Sequence, residues 1–254
     1  MSNTRVYREG NKLVKIYRSD SFEYAEAAFK KQQFAYDAGL PVPAPLSVKK
    51  INDTETAIEM EYIEGKPLVK LYENRADEKL TEAMKILVQL QLQMHGTEAA
   101  ELSDLTDFYT NTIKSAAYLS PSLKNVLFEY MRHLEKGKTN LCHGDFHPYN
   151  IIYNNDKFWI VDWEDASRGD PAADACMHHF YCMRFSDKNN TECDDRYLRI
   201  FCKESGIPRE DVLDWLPVIA GVQINLTDEE DPDGTDRAFM LKFIDKWLIE
   251  YFER

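Results

Sequence analysis

The chain has 254 residues, 44% of them hydrophobic, which suffices for one large domain or two small lobes with their own cores. Its net charge of −13 argues against duplex nucleic acid or an anionic membrane as a partner and is compatible with a cationic substrate. No apolar run approaches the roughly 20 residues needed to span a bilayer, and the polar start MSNTRVYREG lacks the apolar stretch of a signal peptide, so a cytoplasmic protein is expected.

In chain order, residues 4–17 read as a hairpin turning at Glu9-Gly10-Asn11, and residues 21–38 as a helix with Ser19, Asp20 and Ser21 as cap candidates and Gly39 as its stop. Three prolines keep LPVPAPL extended, and ETAIEMEYI alternates like a strand that closes a small sheet. The texture changes at EGKPL, with a hinge near 61–67. Helices are then expected over 78–95, near 104–118 and 121–135, and again near 171–184, 192–204, 209–220 and 235–252. A polar hairpin at 141–162 interrupts them. CMHHFYC, Cys176 to Cys182, has the spacing of a buried helix, which is a better reading than a zinc site. The five cysteines are odd in number and form no CxxC pair, so free thiols are expected.

The hairpin carries the chemistry. HGDFHPYN, His143 to Asn150, precedes the run Ile151-Ile152-Tyr153, a turn at Asn154-Asn155-Asp156 and the run Phe158 to Val161, which ends in DWE. Strand–turn–strand geometry draws the two ends together, gathering several carboxylates and one amide. Crowded like charges are costly without a cation between them, and a hard divalent metal with oxygen ligands is the simplest occupant. On the first hairpin, Leu13, Lys15 and Tyr17 alternate onto one face, where a cation needs a partner.

Asp145 and Asn150 stand in the frame H-x-D-x-x-x-x-N, the spacing of the protein-kinase catalytic loop, with Gly144 in place of its Arg, and Asp162 stands where the metal-binding Asp would be. HGDFHPYN, IVDWE and GDPAAD, in that order, resemble the aminoglycoside phosphotransferase and choline kinase-like family. LVKIY, GLPVPAPL and IEMEYIEGKPL resemble its lysine strand, the segment after its small-lobe helix and its hinge strand.

The resemblance implies an α+β, two-lobed protein-kinase-like fold. Residues 1–63 would form a small antiparallel sheet lobe with one helix that binds the nucleotide, and residues 64–254 a larger helical lobe with the catalytic loop and acceptor site. It implies ATP and Mg²⁺ as cofactors and a small hydroxylated molecule as acceptor. Asp145 is the expected base. Asn150 and Asp162 are the expected metal ligands. Lys15 holds the α- and β-phosphates with Glu26 as partner and Glu23 as the alternative, and Met60, Glu61, Tyr62 and Ile63 face the adenine. Glu164 is either a group beside the metal or a solvated acid. His143 and His147 hold the loop. Asp170 and Asp174 brace it, with a helix cap as the competing role for Asp170.

A glycine-bearing loop over the nucleotide normally precedes the lysine hairpin, whereas only MSNTR stands here, without a Gly before Gly10. Fewer backbone amides for the phosphates are therefore expected. Three functions follow: an active small-molecule kinase, an aminoglycoside or other antibiotic-modifying kinase, and a nucleotide-binding pseudokinase with a scaffolding role. The acidic run Asp228 to Gly234 is either a solvated loop or the source of a preference for a hydroxylated amine or quaternary ammonium.

Overall fold

A computed structural model of the chain describes residues 4–18, 22–71, 77–134, 136–185, 192–226 and 234–252. Its elements in order are β1 (Thr4–Glu9), β2 (Lys12–Arg18), α1 (Phe22–Asp37), β3 (Pro45–Lys50), β4 (Glu55–Glu61), β5 (Lys66–Pro67), α2 (Asp77–His95), α3 (Leu105–Ser115), α4 (Pro121–Leu134), β6 (Asn140–Cys142), β7 (Ile151–Asn154), β8 (Lys157–Ile160), β9 (Ser167–Gly169), α5 (Pro171–Phe185), α6 (Glu192–Ser205), α7 (Arg209–Leu213), α8 (Leu216–Leu226) and α9 (Thr235–Phe252). Asp228, Glu229, Glu230 and Asp231, and the cap candidates Ser19, Asp20 and Ser21, lie outside the described residues.

The chain divides into two compact units. The first comprises Met1–Ala83 and His147–Ala166; the second comprises Met84–Phe146 and Ser167–Arg254. The expected border between residues 63 and 64 falls inside the first unit. The hairpin β7–β8 joins that unit because β5 pairs with β7, Lys66 opposite Tyr153, and because the Ile160 N–H donates to the Pro41 carbonyl at 2.7 Å. Gly65 permits this close approach, since a Cβ there would lie 2.6 Å from the Tyr153 carbonyl oxygen.

In the first unit, β1, β2, β4 and β3 form an antiparallel sheet in that order. The period of two along β2 sorts its side chains. Leu13 and Tyr17 face α1 in a cluster with Ala25, Ala28, Phe29, Ile58 and Met60, while Val14, Ile16 and Ala57 form a separate cluster. Lys15, opposite Ile58, shares the face of Leu13 and Tyr17. In β7–β8 the turn residues Asn155 and Asp156 take φ of 47° and 61°, a left-handed conformation that short Asn and Asp side chains tolerate.

In the second unit, α3 and α4 pack on α8, α9 packs on α8, and α5 packs on α6, α7 and α8. The expected helix 209–220 is two helices, α7 and α8. Its second part, LPVIAGVQI, is buried at every position from Leu216 to Ile224, so it lacks the one-sided stripe that marks a surface helix. Pro217 sits in its first turn, where a missing N–H costs nothing. The short pair β6–β9 is not among the expected elements, because three-residue strands carry no readable alternation. The described cysteines Cys142, Cys176 and Cys202 are free thiols, and Cys182 Sγ lies 3.4 Å from His178 Nε2. Among the described residues, no helix is long and apolar enough to cross a membrane.

Candidate active site

The first unit holds Lys15, Asn150 and Asp162. Lys15 Nζ donates to Asp162 Oδ1 at 2.8 Å and to Glu164 Oε1. Burial alone lowers the Lys15 ammonium's pKa, but the two carboxylates outweigh it and hold the group above its ordinary value, so Lys15 stays charged. The expected pairing of Lys15 with Glu26 is not the one formed: Glu26 bonds Lys30 one helical turn along α1, at 3.1 Å.

Glu164 is instead held from both neighbouring elements. Tyr17 of β2 donates to its Oε1 at 2.6 Å, Tyr24 of α1 donates to its Oε2 at 3.2 Å, and Lys31 of α1 donates to its backbone carbonyl at 2.6 Å. Burial and then the Glu164 charge raise the Tyr17 and Tyr24 phenols, which stay protonated as donors. Burial lowers the Lys31 ammonium, with partial offset from Asp165 and Glu164.

Asn150 and Asp162 lie at the same end of the β7–β8 hairpin. Ile151 pairs with Ile160, and one step further the Val161 N–H donates to the Asn150 carbonyl at 2.9 Å. Asp162 adopts φ 69° and ψ 61°, in the left-handed region that Asp, like Asn, enters more readily than other residues with a Cβ but still at a cost of about 1–3 kcal/mol. Such strain persists where surrounding contacts fix it, here the Lys15 ammonium on its carboxylate. A carboxylate and an amide offer oxygen donors of the kind a hard cation takes.

Of the expected adenine-facing residues, Met60 is buried in the α1 cluster. The amides of Glu61 and Tyr62 are occupied, by the Ala44 carbonyl at 2.8 Å and the Asn11 carbonyl at 2.9 Å. The Arg8 guanidinium stacks 4.1 Å from the Tyr62 ring centroid.

The second unit holds Asp145. Its loop leaves β6 at His143, and Gly144 takes φ +81°, a conformation in which the Arg of the protein-kinase frame would be strained. The Gly144 N–H donates to Asp174 Oδ1 at 2.8 Å, and the Asp145 N–H to His143 Nδ1 at 3.3 Å. Asp174 is fully buried, and His95 Nε2 lies 2.9 Å from its Oδ2. Burial by itself raises the Asp174 carboxyl, but His95 and the Gly144 N–H outweigh it and hold it below its ordinary value. An ionised carboxylate only accepts, so His95 carries its proton on Nε2. The Cys142 thiol lies within 4.8 Å of both, and burial pushes its pKa up. Asp174 thus ties the Gly144 backbone to His95. Asp170 caps α5, accepting the Ala172 N–H at 2.9 Å, and pairs with Lys138 at 2.7 Å.

Removing His95 leaves a buried carboxylate short of its main partner. His95→Ala is expected to destabilise the fold by about 3–5 kcal/mol in a denaturant titration. Asp174 has a depressed native pKa, so the difference is fully present above about pH 4 and shrinks as the pH falls through the native value. A variant with the wild-type midpoint at pH 7 would show that the pair carries no stability.

A model described as the phosphotransferase enzyme family matches residues 1–214. Among solved structures, aminoglycoside phosphotransferase APH(3'')-Id from Streptomyces rimosus, in complex with ADP and streptomycin, is 16% identical with a TM-score of 0.67, covering 87% of this chain and 92% of that one. A thermostable mutant of aminoglycoside phosphotransferase APH(4)-Ia, in ternary complex with ADP and hygromycin B, is 14% identical with a TM-score of 0.64, covering 96% of this chain and 92% of that one. Aminoglycoside-3'-phosphotransferase of type VIII is 13% identical with a TM-score of 0.63, covering 87% and 89%. No curated protein matches the sequence. The structural likeness gives the fold and the family match spans most of the chain: it belongs to the phosphotransferase enzyme family and is a phosphotransferase with a protein-kinase-like fold.

Proposed function

We propose that the protein transfers the γ-phosphoryl group of ATP to a hydroxyl of a small molecule in the cytoplasm. The observation that carries the reading is the Lys15–Asp162 pair at 2.8 Å, which joins the strand lysine to the hairpin carboxylate that the kinase-like frame assigns to the same nucleotide. The structural neighbours crystallised with ADP and an aminoglycoside support the same donor and acceptor classes.

In this reading Asp145 orients the acceptor hydroxyl and takes its proton as the new oxygen–phosphorus bond forms. The bond from the γ-phosphorus to the β-phosphate oxygen breaks, and ADP leaves. Asn150 and Asp162, as oxygen donors, would hold Mg²⁺, which supplies charge neutralisation on the phosphate oxygens when bound. Lys15 meets the α- and β-phosphates, and Met60, Glu61, Tyr62 and Ile63 face the adenine. With the Glu61 and Tyr62 amides already occupied, the Ile63 N–H is the hinge amide that donates to the base. That residues 1–63 bind the nucleotide base and α- and β-phosphates, and residues 64–254 carry the catalytic loop, the metal ligands and the acceptor site, belongs to the same proposal.

Glu164, rather than Glu26, orients Lys15. Glu164→Gln is expected to raise the KM for MgATP by about tenfold, since a charged hydrogen bond contributes about 1.5–3 kcal/mol. Glu26→Gln serves as the control and changes it by less than about twofold, as for an exposed helix pair. The reverse order would return the role to Glu26.

The test of the function is ADP release from MgATP across a panel of aminoglycosides, amino alcohols, quaternary ammonium alcohols and sugars. Stimulation by at least one hydroxylated compound is expected. Nucleotide binding without ADP release in any case would favour the pseudokinase reading. Acceptors that are aminoglycosides would make it an antibiotic-modifying kinase, like the neighbours in name.

A further inference from the structure

α5 meets the catalytic loop with one stripe of side chains. Asp174, His178 and Tyr181 stand at i, i+4 and i+7, which places them on a single helical face. They bind consecutive loop residues: Asp174 accepts the Gly144 N–H at 2.8 Å, Tyr181 donates its hydroxyl to Asp145 Oδ1 at 2.9 Å, and His178 Nδ1 donates to the Phe146 carbonyl at 3.0 Å. The outer two fix the backbone, and of the three it is Tyr181 that reaches the side chain of the proposed base.

The phenol is itself directed. Gln223, buried on α8, donates its Nε2 to the Tyr181 oxygen at 3.3 Å and lies 3.2 Å from Met177 Sδ. An amide N–H occupying a lone pair of the phenol oxygen turns the phenolic hydrogen toward another acceptor, and Asp145 Oδ1 is there to receive it. Tyrosine suits this task because its rigid ring moves through only two torsions, so an anchored hydroxyl fixes the rotation of the carboxylate it touches.

We infer that Tyr181, directed by Gln223, is a positioning residue that sets the orientation of the Asp145 carboxylate for proton transfer. This deepens the proposed function and rests on Asp145 being the base. Neither residue belongs to the frame by which the sequence was read, and the sequence showed the 176–182 stretch as core alone.

The test is a double-mutant cycle read with MgATP alone, with water as acceptor, and then with any acceptor the panel selects. Tyr181→Phe keeps the ring and removes the hydroxyl. It is expected to lower kcat by about tenfold, the loss of one hydrogen bond to a charged group, while the KM for MgATP and the thermal midpoint stay at wild-type values. In an Asp145→Asn background the same substitution is expected to change kcat by less than about twofold, because a residue acting through Asp145 has nothing left to act on. Gln223→Leu is expected to give a smaller loss of kcat in the same direction. Equal losses from Tyr181→Phe in both backgrounds, or no loss in either, would overturn the inference while leaving Asp145 as base. If Asp145→Asn itself keeps wild-type turnover, it is the reading of the base that fails.

Discussion

Asp145→Asn is expected to lower single-turnover phosphoryl transfer by about 10²–10⁴ while MgATP still binds with its wild-type affinity. The two halves of this result have separate origins. Asparagine has nearly the shape of aspartate but accepts no proton, so the acceptor hydroxyl loses its base. The groups assigned to the nucleotide, Lys15, Asn150 and Asp162, belong to the first unit, whereas Asp145 belongs to the second, where His143, Gly144 and Asp174 hold its backbone. Those backbone contacts survive the substitution, so the folded state should persist. Unchanged turnover in a folded variant would remove Asp145 from the chemistry, and a parallel loss of MgATP affinity would move it to the nucleotide side.

Asp162→Ala is expected to abolish the Mg²⁺-dependent part of nucleotide binding, a weakening of at least about tenfold in a calorimetric titration, where tenfold corresponds to about 1.4 kcal/mol. The structural cost works in the opposite direction. Asp162 sits in a left-handed conformation that alanine also dislikes, but its side chain is 42% exposed, so no buried polar atom is orphaned by its removal. Lys15 keeps Glu164 as partner in the variant and remains charged. A binding loss without a large loss of thermal stability therefore assigns the carboxylate to the ligand. Equal affinities for MgATP in the variant and the wild type would leave the strained Asp162 with a structural task only.

The elements that form this site differ in how plainly the sequence announces them. The alternation of Leu13, Lys15 and Tyr17 places a cation on an apolar face, and the frame from Asp145 through Asn150 to Asp162 locates both ends of the hairpin in the sequence itself. The partner of Lys15 does not follow from such patterns. Glu26 has the right spacing on α1 but satisfies Lys30 on its own helix, and the ion pair is made across 149 positions by Glu164. Only the tertiary meeting of α1 with the DWE turn reveals it, although three donors on β2 and α1, Tyr17, Tyr24 and Lys31, hint at an acid nearby. The stretch Cys176 to Cys182 reads as a buried helix, and periodicity does not say that Tyr181, with Asp174 and His178, faces the catalytic loop. The break between α7 and α8 is hidden for the opposite reason: a helix buried on all sides has no polar face to mark its ends.

The most direct measurement is phosphorus NMR of the reaction of the enzyme with MgATP and the acceptor chosen from the panel. The expected product is one phosphomonoester on an acceptor hydroxyl, formed in step with ADP and absent with Asp145→Asn. Inorganic phosphate alone, AMP in place of ADP, or an ester that Asp145→Asn forms at the wild-type rate would contradict it.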